Sequence, residues 1–467
     1  LASGAPDPAF GSGGYTTVDF GGTDKAYALA VQSDGKIVVA GTTGLDFALA
    51  RLTATGALDP TFSGDGKATV DFDGGTDIAY GVALTAEGRI VAAGSAGDSA
   101  GFLALTHFAA ARFHANGNPD PGFGGTGRVK TAVSTTRSDG ASCVLVRPDG
   151  KVLAGGNVSL SAADSRPAFV RWTAAGVPDA TFGPGTGISA IPANSVNYTI
   201  TSMTSQPASG LVVAAGSIFS SFSSQRLIRL LADGSIDPAF GGTVAPRNGE
   251  EIANAVISAT DGSLYTAGYA KQADNRLQFT VCYFTESGLL RSGFGTSGRL
   301  TVTPVAGRNS FGIGLAVDPQ CRILAVGNTQ ATPFNDSDYL IVRLGQPSSA
   351  RETWRTVHFG SAANSGAGAD LADGDADALP NLAEYALALD PLRLDAPLQP
   401  EWQNAADGAL RISIPDLPDV STAAEMSTTM APGGWTPVPD TGAAGQHLFR
   451  VLPGASRLFL RLRFSNP

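Results

Sequence analysis

The chain has 467 residues, a formal net charge of −10, 59 glycines and only 15% charged residues. That length exceeds one ordinary domain unless the fold is a repeat, and an apolar share of 43% is ample for buried cores. An acidic chain without a basic tract excludes nucleic acid as a partner, and no run of 18 apolar residues offers a transmembrane segment. Low charge with abundant glycine points to turns and strands rather than helices. The chain begins at Leu1 rather than at a methionine, which is compatible with a removed signal peptide.

The first patterned phrase, AVQSDGKIVVAG at 30–41, reads as two apolar strands around an Asp-Gly turn. It returns as ALTAEGRIVAAG at 83–94 and LVRPDGKVLAGG at 145–156, then more faintly at 204–216, 257–268 and 316–327. A turn phrase precedes each copy: DPAFGSGG from Asp7, DPTFSGDG from Asp59, DPGFGGTG from Asp120, DATFGPGTG from Asp179, DPAFGG from Asp237 and RSGFGTSG from Arg291. A strand ending in arginine follows, at Arg51, Arg112, Arg171, Arg229 and Arg343, with Tyr283 standing in the fifth copy. The period is 54–61 residues.

Four strands per unit at this period suit a propeller blade, because a lone four-stranded sheet cannot cover both of its faces. Six copies give an all-β, six-bladed β-propeller over residues 1–346. YALAVQ is assigned as the inner strand, KIVVAG as the second, FALARL as the third and GYTTVDF as the outer one. On that assignment the chain starts with an outer strand at 14–20 and the last copy ends with a third strand, so the first strand closes the ring. The pattern LDPxFGxxG, DGKIxVAG, FALxRL resembles the delta-60 repeat of bacterial proteins, a β-propeller domain of unknown function. The resemblance implies an extracellular or surface protein and no particular chemistry. It departs at Tyr283, at Cys321 in place of the turn glycine, and at Arg291-Ser292.

Residues 347–395 form a linker that contains DGDADALPNLAEYALALDP at 373–391. Asp373, Asp375, Asp377, Asn381 and Glu384 occupy positions 1, 3, 5, 9 and 12 of an EF-hand-type loop, with the Leu379 carbonyl at position 7. Calcium is the cofactor expected there, as a structural clip ahead of a short helix. Ala378 replaces the usual turn glycine, and a solvated acidic linker without an ion is the alternative. The segment is similar to thrombospondin type 3 and dockerin loops. Residues 396–467 alternate apolar and polar positions in ALRISIPD and RLFLRLRF, the pattern of a small β-sandwich with half-buried antiparallel strands. This end resembles a C-terminal module of secreted bacterial proteins, which implies export or surface retention.

Catalytic motifs are thin. GDSAG around Ser99 and GFGGTG at 122–127 lack the helix that a nucleophile elbow or a dinucleotide loop requires. His107 and His114 lie seven apart and read as surface residues, and Cys143, Cys282 and Cys321 as separate buried thiols. The recurring arginines are expected to pair with the aspartates of the DP turns, Arg51 with Asp59 and Arg112 with Asp120. A ring gripping an anionic ligand is the alternative. The function expected is a secreted or cell-surface, non-enzymatic binding protein. Its propeller loops would present a face to a polysaccharide or an extracellular protein. A polysaccharide lyase or hydrolase, or a purely structural scaffold, are the rival readings.

Overall fold

The computed structural model describes residues 7–99, 104–161, 164–190, 197–219, 223–242, 249–259, 261–303, 307–317, 323–330 and 337–344 of an N-terminal unit. In a C-terminal unit it describes 372, 381, 403–404, 410–415, 421–427, 435–441, 446–451 and 459–465. The units are Leu1–Leu344 and Gly345–Pro467.

The first blade is β1 (Asp24–Val31), β2 (Ile37–Thr43), β3 (Asp46–Leu52) and β4 (Lys67–Val70), hydrogen-bonded in that order and antiparallel throughout. Asp34 and Gly35 make the first hairpin turn. Gly35 has a φ of 83°, a region that costs glycine nothing. β4 lies in the opening phrase of the next repeat, so each outer strand is supplied by the sequence that follows its blade.

The second blade repeats the plan with β5 (Ile78–Leu84), β6 (Ile90–Gly97), β7 (Thr106–Phe113) and β8 (Arg128–Thr131). The third has β9 (Asp139–Val146), β10 (Val152–Ser159), β11 (Ser165–Trp172) and β12 (Ile188–Ala190). The fourth shows β13 (Asn197–Ser205), β14 (Val212–Phe219) and β15 (Ser223–Leu230) among the described residues. The fifth has β16 (Glu251–Ser258), β17 (Leu264–Lys271), β18 (Leu277–Phe284) and β19 (Arg299–Val302). The sixth shows β20 (Asn309–Val317), β21 (Ile323–Gln330) and β22 (Ser337–Leu344). The N-terminal unit is thus a six-bladed β-propeller.

Its cores lie between blades. Val82 and Leu84 of the second inner strand rest on Phe47, Leu49 and Phe62 of the first blade. Phe108, Phe123 and Trp172 fill the next gap with Val144 and Val152, and Phe169 and Phe182 with Met203 and Ile228 the one after. Second strands rich in alanine and glycine let successive sheets approach closely, so the third strands bury both faces and read as unbroken apolar runs.

One feature of the ring differs from the sequence reading. Residues 14–20 form no outer strand for the sixth blade. Among the described residues this stretch makes only the Ser12–Tyr15 bridge, and the sixth sheet ends at β22. The stretch is anchored on its own blade instead. The Gly11 N–H donates to the Thr55 carbonyl at 2.7 Å, and the Phe20 N–H to Asp24 Oδ2 at 2.8 Å.

In the C-terminal unit, β23 (Gln403–Asn404), β24 (Leu410–Pro415) and β27 (Gln446–Val451) form one three-stranded sheet. β25 (Ser421–Ser427), β26 (Thr436–Val438) and β28 (Phe459–Ser465) form another. The phrases ALRISIPD and RLFLRLRF supply β24 and β28. Ala424, Val438 and Phe449 are buried.

Candidate functional site

Antiparallel pairing fixes what gathers at each end of the blades. The start of β2 pairs with the end of β3, Val38 opposite Arg51, so the Asp-Gly hairpins and the recurring arginines share one end. There four of the five recurring arginines close a clasp. Arg51 Nε donates to Asp59 Oδ2 at 2.9 Å, Arg112 to Asp120 at 2.7 Å, Arg171 to Asp179 at 2.7 Å and Arg229 to Asp237 at 2.8 Å. Each guanidinium lies over the phenylalanine of the same turn phrase, Phe62, Phe123, Phe182 or Phe240, at 4.4–5.0 Å from the ring centroid.

A second nitrogen reaches the following blade. Arg51 donates to the Ala115 carbonyl, Arg112 to Ala174 at 2.5 Å and Arg171 to Ala232 at 2.6 Å. Burial works against the ionised Asp59. Hydrogen bonds from Thr61 and Lys36 and the Arg51 charge outweigh it and hold the carboxyl at about 2. The pairing expected from sequence therefore holds in four blades, and these buried arginines are not a ligand ring.

The fifth blade swaps the chemistry. Tyr283 takes the arginine position and Arg291 the aspartate position, with the guanidinium 5.0 Å from the Tyr283 ring centroid. Tyr265 stacks on Tyr283 at 4.4 Å. Cation and partner have changed places, and the clasp survives as a cation–π contact.

The opposite end carries the connections between second and third strands, and there every blade differs. Between the first two blades Asp46, Asp71 and Asp77 bring their oxygens within 4.8 Å of one another. Buried Asp77 accepts the Phe72 N–H at 2.8 Å and the Gly97 N–H at 3.0 Å, yet burial pushes its carboxyl up to about 6. Burial and then Asp71 also raise Asp46. An all-oxygen donor set suits a hard cation, but both Asp77 oxygens are already committed to backbone amides, so the trio is read as a like-charge cluster.

In the next gap His107 takes the Asp46 position. It is buried, with Nδ1 3.1 Å from Asp139 Oδ2 and Nε2 3.2 Å from Asp98 Oδ2. This corrects the surface role expected from spacing. Asp139 also accepts N–H groups from Phe108, Val133 and Ser134, and burial still holds its carboxyl above the usual range. Lys130 bonds Asp98 at 2.9 Å and Asp73. Further round, Arg166 meets Asp164 at 3.2 Å, Glu251 joins Gln225 at 2.7 Å and Arg299 at 2.9 Å, and Arg308 meets Asp338 at 2.5 Å.

The remaining sequence-named residues fall as follows. Asp373, Asp375, Asp377, Leu379 and Glu384 lie outside the described residues. Asn381 is buried and helical, its N–H donating to the Ala372 carbonyl at 2.8 Å. Ser99 follows β6 in the connection that reaches β7 at Thr106, of which residues 100–103 lie outside the described residues. Gly124 and Gly127 have positive φ in the turn before β8. Cys143 and Cys282 are free thiols pushed up to about 12 by burial, and Cys321 lies outside the described residues.

Residues 32–62, 86–123, 147–182 and 208–240 match the family described as Domain of unknown function (DUF5122) beta-propeller. Among solved structures, a glucose dehydrogenase is similar at 12% identity, covering 69% of this chain and 98% of that one with a TM-score of 0.39. A protein of unknown function from Dyadobacter fermentans is similar at 10% identity, covering 68% and 94% with a TM-score of 0.41. A gluconolactonase from Xanthomonas campestris is similar at 10% identity, covering 69% and 87% with a TM-score of 0.35. No curated protein matches the sequence. The first four repeats of the six-bladed propeller thus carry the DUF5122 beta-propeller signature.

Proposed function

We propose that the protein is an extracellular or cell-surface binding protein that takes a polysaccharide or another extracellular protein at the β2–β3 end of its propeller. One observation carries this reading: the two ends of the blades are built on opposite principles. The clasp end repeats the same Arg–Asp–Phe arrangement in four blades, as a fold requirement does. The other end presents a different polar set in each gap, from Asp46 and Asp71 through Lys130 and Asp98 to Arg308 and Asp338. Partly exposed carboxylates beside cations suit hydroxyl-rich or wet polar partners. Both ring nitrogens of His107 are committed to carboxylates, so as placed the imidazole ties loops together.

The spacing of Asp373, Asp375, Asp377, Asn381 and Glu384 supports a structural calcium ion in the segment after the propeller. The test is incubation of the full chain with a polysaccharide panel, with and without calcium, reading both retention of protein and release of oligosaccharides. Retention without products is the expected result. Released oligosaccharides would replace this reading with a lyase or hydrolase, and neither signal would leave a protein-binding scaffold.

A further inference from the structure

Each inner strand carries one extra residue at the same place. The register slips between Ala26 and Ala28 in β1, between Ala79 and Gly81 in β5, and at the matching step in the other four blades. The slips leave Tyr27, Tyr80, Ser142, Thr201, Asn254 and Ile313 without a partner residue in the second strand. A β-bulge re-aims the side chain it adds. Inner strands line the axis of a propeller, so these six residues stand on an arc around it. Tyr27 is three residues from the start of β1, which sets the arc about 10 Å inside the β2–β3 end.

The two sides of the arc use their side chains differently. In the fourth and fifth blades the polar groups are spent on the scaffold. Thr201 Oγ1 donates to the Ala253 carbonyl at 3.0 Å, and Asn254 Nδ2 to the Gly312 carbonyl at 2.7 Å. Both acceptors belong to the inner strand of the following blade. Between the first and second blades the contact is aromatic instead. Tyr27 and Tyr80 pack edge to face, with ring centroids 4.9 Å apart and planes at 61°. Among the described residues the hydroxyls of Tyr27, Tyr80 and Ser142 make no hydrogen bond. Tyr27 is 44% exposed, and Tyr80 is half-buried, its phenol pushed up by burial and then by Tyr27 and so held neutral.

We infer that Tyr27, Tyr80 and Ser142 form a subsite for an uncharged sugar residue, just inside the β2–β3 end of the propeller axis. This rests on the polysaccharide reading above and narrows it. The face of an aromatic ring is electron-rich and attracts the polarised C–H groups of a sugar ring. Packing against Tyr80 already holds the Tyr27 ring in place, so stacking on it costs little further side-chain entropy. Two phenols and a serine hydroxyl each donate and accept, which matches the hydroxyls that a sugar presents on its rim. No member of the arc is charged, so it reads ring faces and hydroxyls rather than a carboxylate or a sulfate. Thr201 and Asn254 are committed to backbone carbonyls, which confines the subsite to the first three blades.

The test titrates the full chain calorimetrically with uncharged hexasaccharides of β-1,4-glucan, β-1,3-glucan, α-1,4-glucan and β-1,4-mannan. Binding of at least one is expected. Tyr27→Ala should weaken it about tenfold or more, and Tyr80→Phe and Ser142→Ala about three- to fivefold each. Full affinity in Tyr27→Ala overturns the inference and leaves binding at the connecting loops in place. No binding of any of the four also overturns it; the broader reading then stands if the polysaccharide panel still retains the protein, and falls with it if not. Tyrosine nitration of the unaltered chain reads the same subsite without a substitution. Tetranitromethane is expected to modify the exposed Tyr27, and bound saccharide to suppress that modification in peptide mass spectrometry. Equal nitration of Tyr27 with and without the saccharide overturns the subsite.

Discussion

At the scale of single residues, the clasp shows why one arginine recurs in strand after strand. Arg171 bonds Asp179, Thr181 at 2.9 Å and the Ala232 carbonyl of the next blade, and covers Phe182. Truncation to alanine leaves the Ala232 carbonyl without this donor and Asp179 with only Thr181 and Lys151, so Arg171→Ala is expected to cost about 2–3 kcal/mol in chemical denaturation. Arg171→Lys should recover less than half of that, since one ammonium cannot reach three acceptors fixed by a planar fork. The fifth blade offers a sharper check. Tyr283→Arg places two guanidinium groups together and Arg291→Asp removes the cation over Tyr283, so each alone should destabilise. The double variant rebuilds the clasp of the other blades, and a double-mutant cycle should show favourable coupling of about 1 kcal/mol or more. The arginine–aspartate pairs were legible in sequence because both partners recur eight residues apart. His107 was not, because its partner Asp139 lies 32 residues away and meets it only when two blades pack.

At the scale of the strand, the glycine that ends the phrase VAG has a cause no sequence pattern displays. In all six blades the inner strand carries a β-bulge opposite that glycine. Its extra residue is Tyr27, Tyr80, Ser142, Thr201, Asn254 or Ile313. The bulge swings an inner-strand carbonyl toward the second strand. A Cβ on Gly94 would lie 1.8 Å from the Ile78 oxygen, and one on Gly41, Gly216, Gly268 or Gly327 would fare the same. Gly94→Ala is therefore expected to destabilise by about 1–3 kcal/mol. Ala93→Gly, one residue away, removes a buried methyl without a clash and should cost about 1 kcal/mol. A urea titration of both variants separates steric conflict from loss of packing.

The hairpins, third strands and outer strands were legible from Asp-Gly turns and apolar runs, because local rules govern them. The bulges were not, because an extra residue in a run such as DIAYGVAL leaves no mark on composition. Nor did the sequence show that residues 14–20 would stay on the first blade, since their pattern is that of the other outer strands. Which edge a strand joins is decided by tertiary packing.

At the scale of the whole molecule, two populations of carboxylates pull stability in opposite directions with pH. Asp59, Asp120, Asp179 and Asp237 have lowered values. For Asp59, Asp120 and Asp179 burial is opposed and outweighed by hydrogen bonds and the clasp arginines, and for Asp237 the Ala239 N–H leads, followed by Arg229. Their contribution is fully present above the unfolded value and is lost as pH falls toward the folded one, about 2 for Asp59. Asp46, Asp77 and Asp139 are raised, chiefly by burial. Their contribution is fully present below the unfolded value and is lost as pH rises through the folded one, about 6 for Asp77. The melting temperature should therefore peak in a window of about pH 4–5 and fall on both sides, a curve that differential scanning calorimetry measures directly.

The two limbs have separate origins, so one substitution should move only one of them. Asp46→Asn removes a like charge facing Asp77 while leaving the Phe72 and Gly97 amides their acceptor. It is expected to raise stability at pH 8 by about 1 kcal/mol at low salt, less at high salt, and to leave the acid limb unchanged. An unchanged alkaline limb would mean that Asp77, not its neighbours, sets the high-pH loss, and that burial outweighs repulsion in this gap between blades.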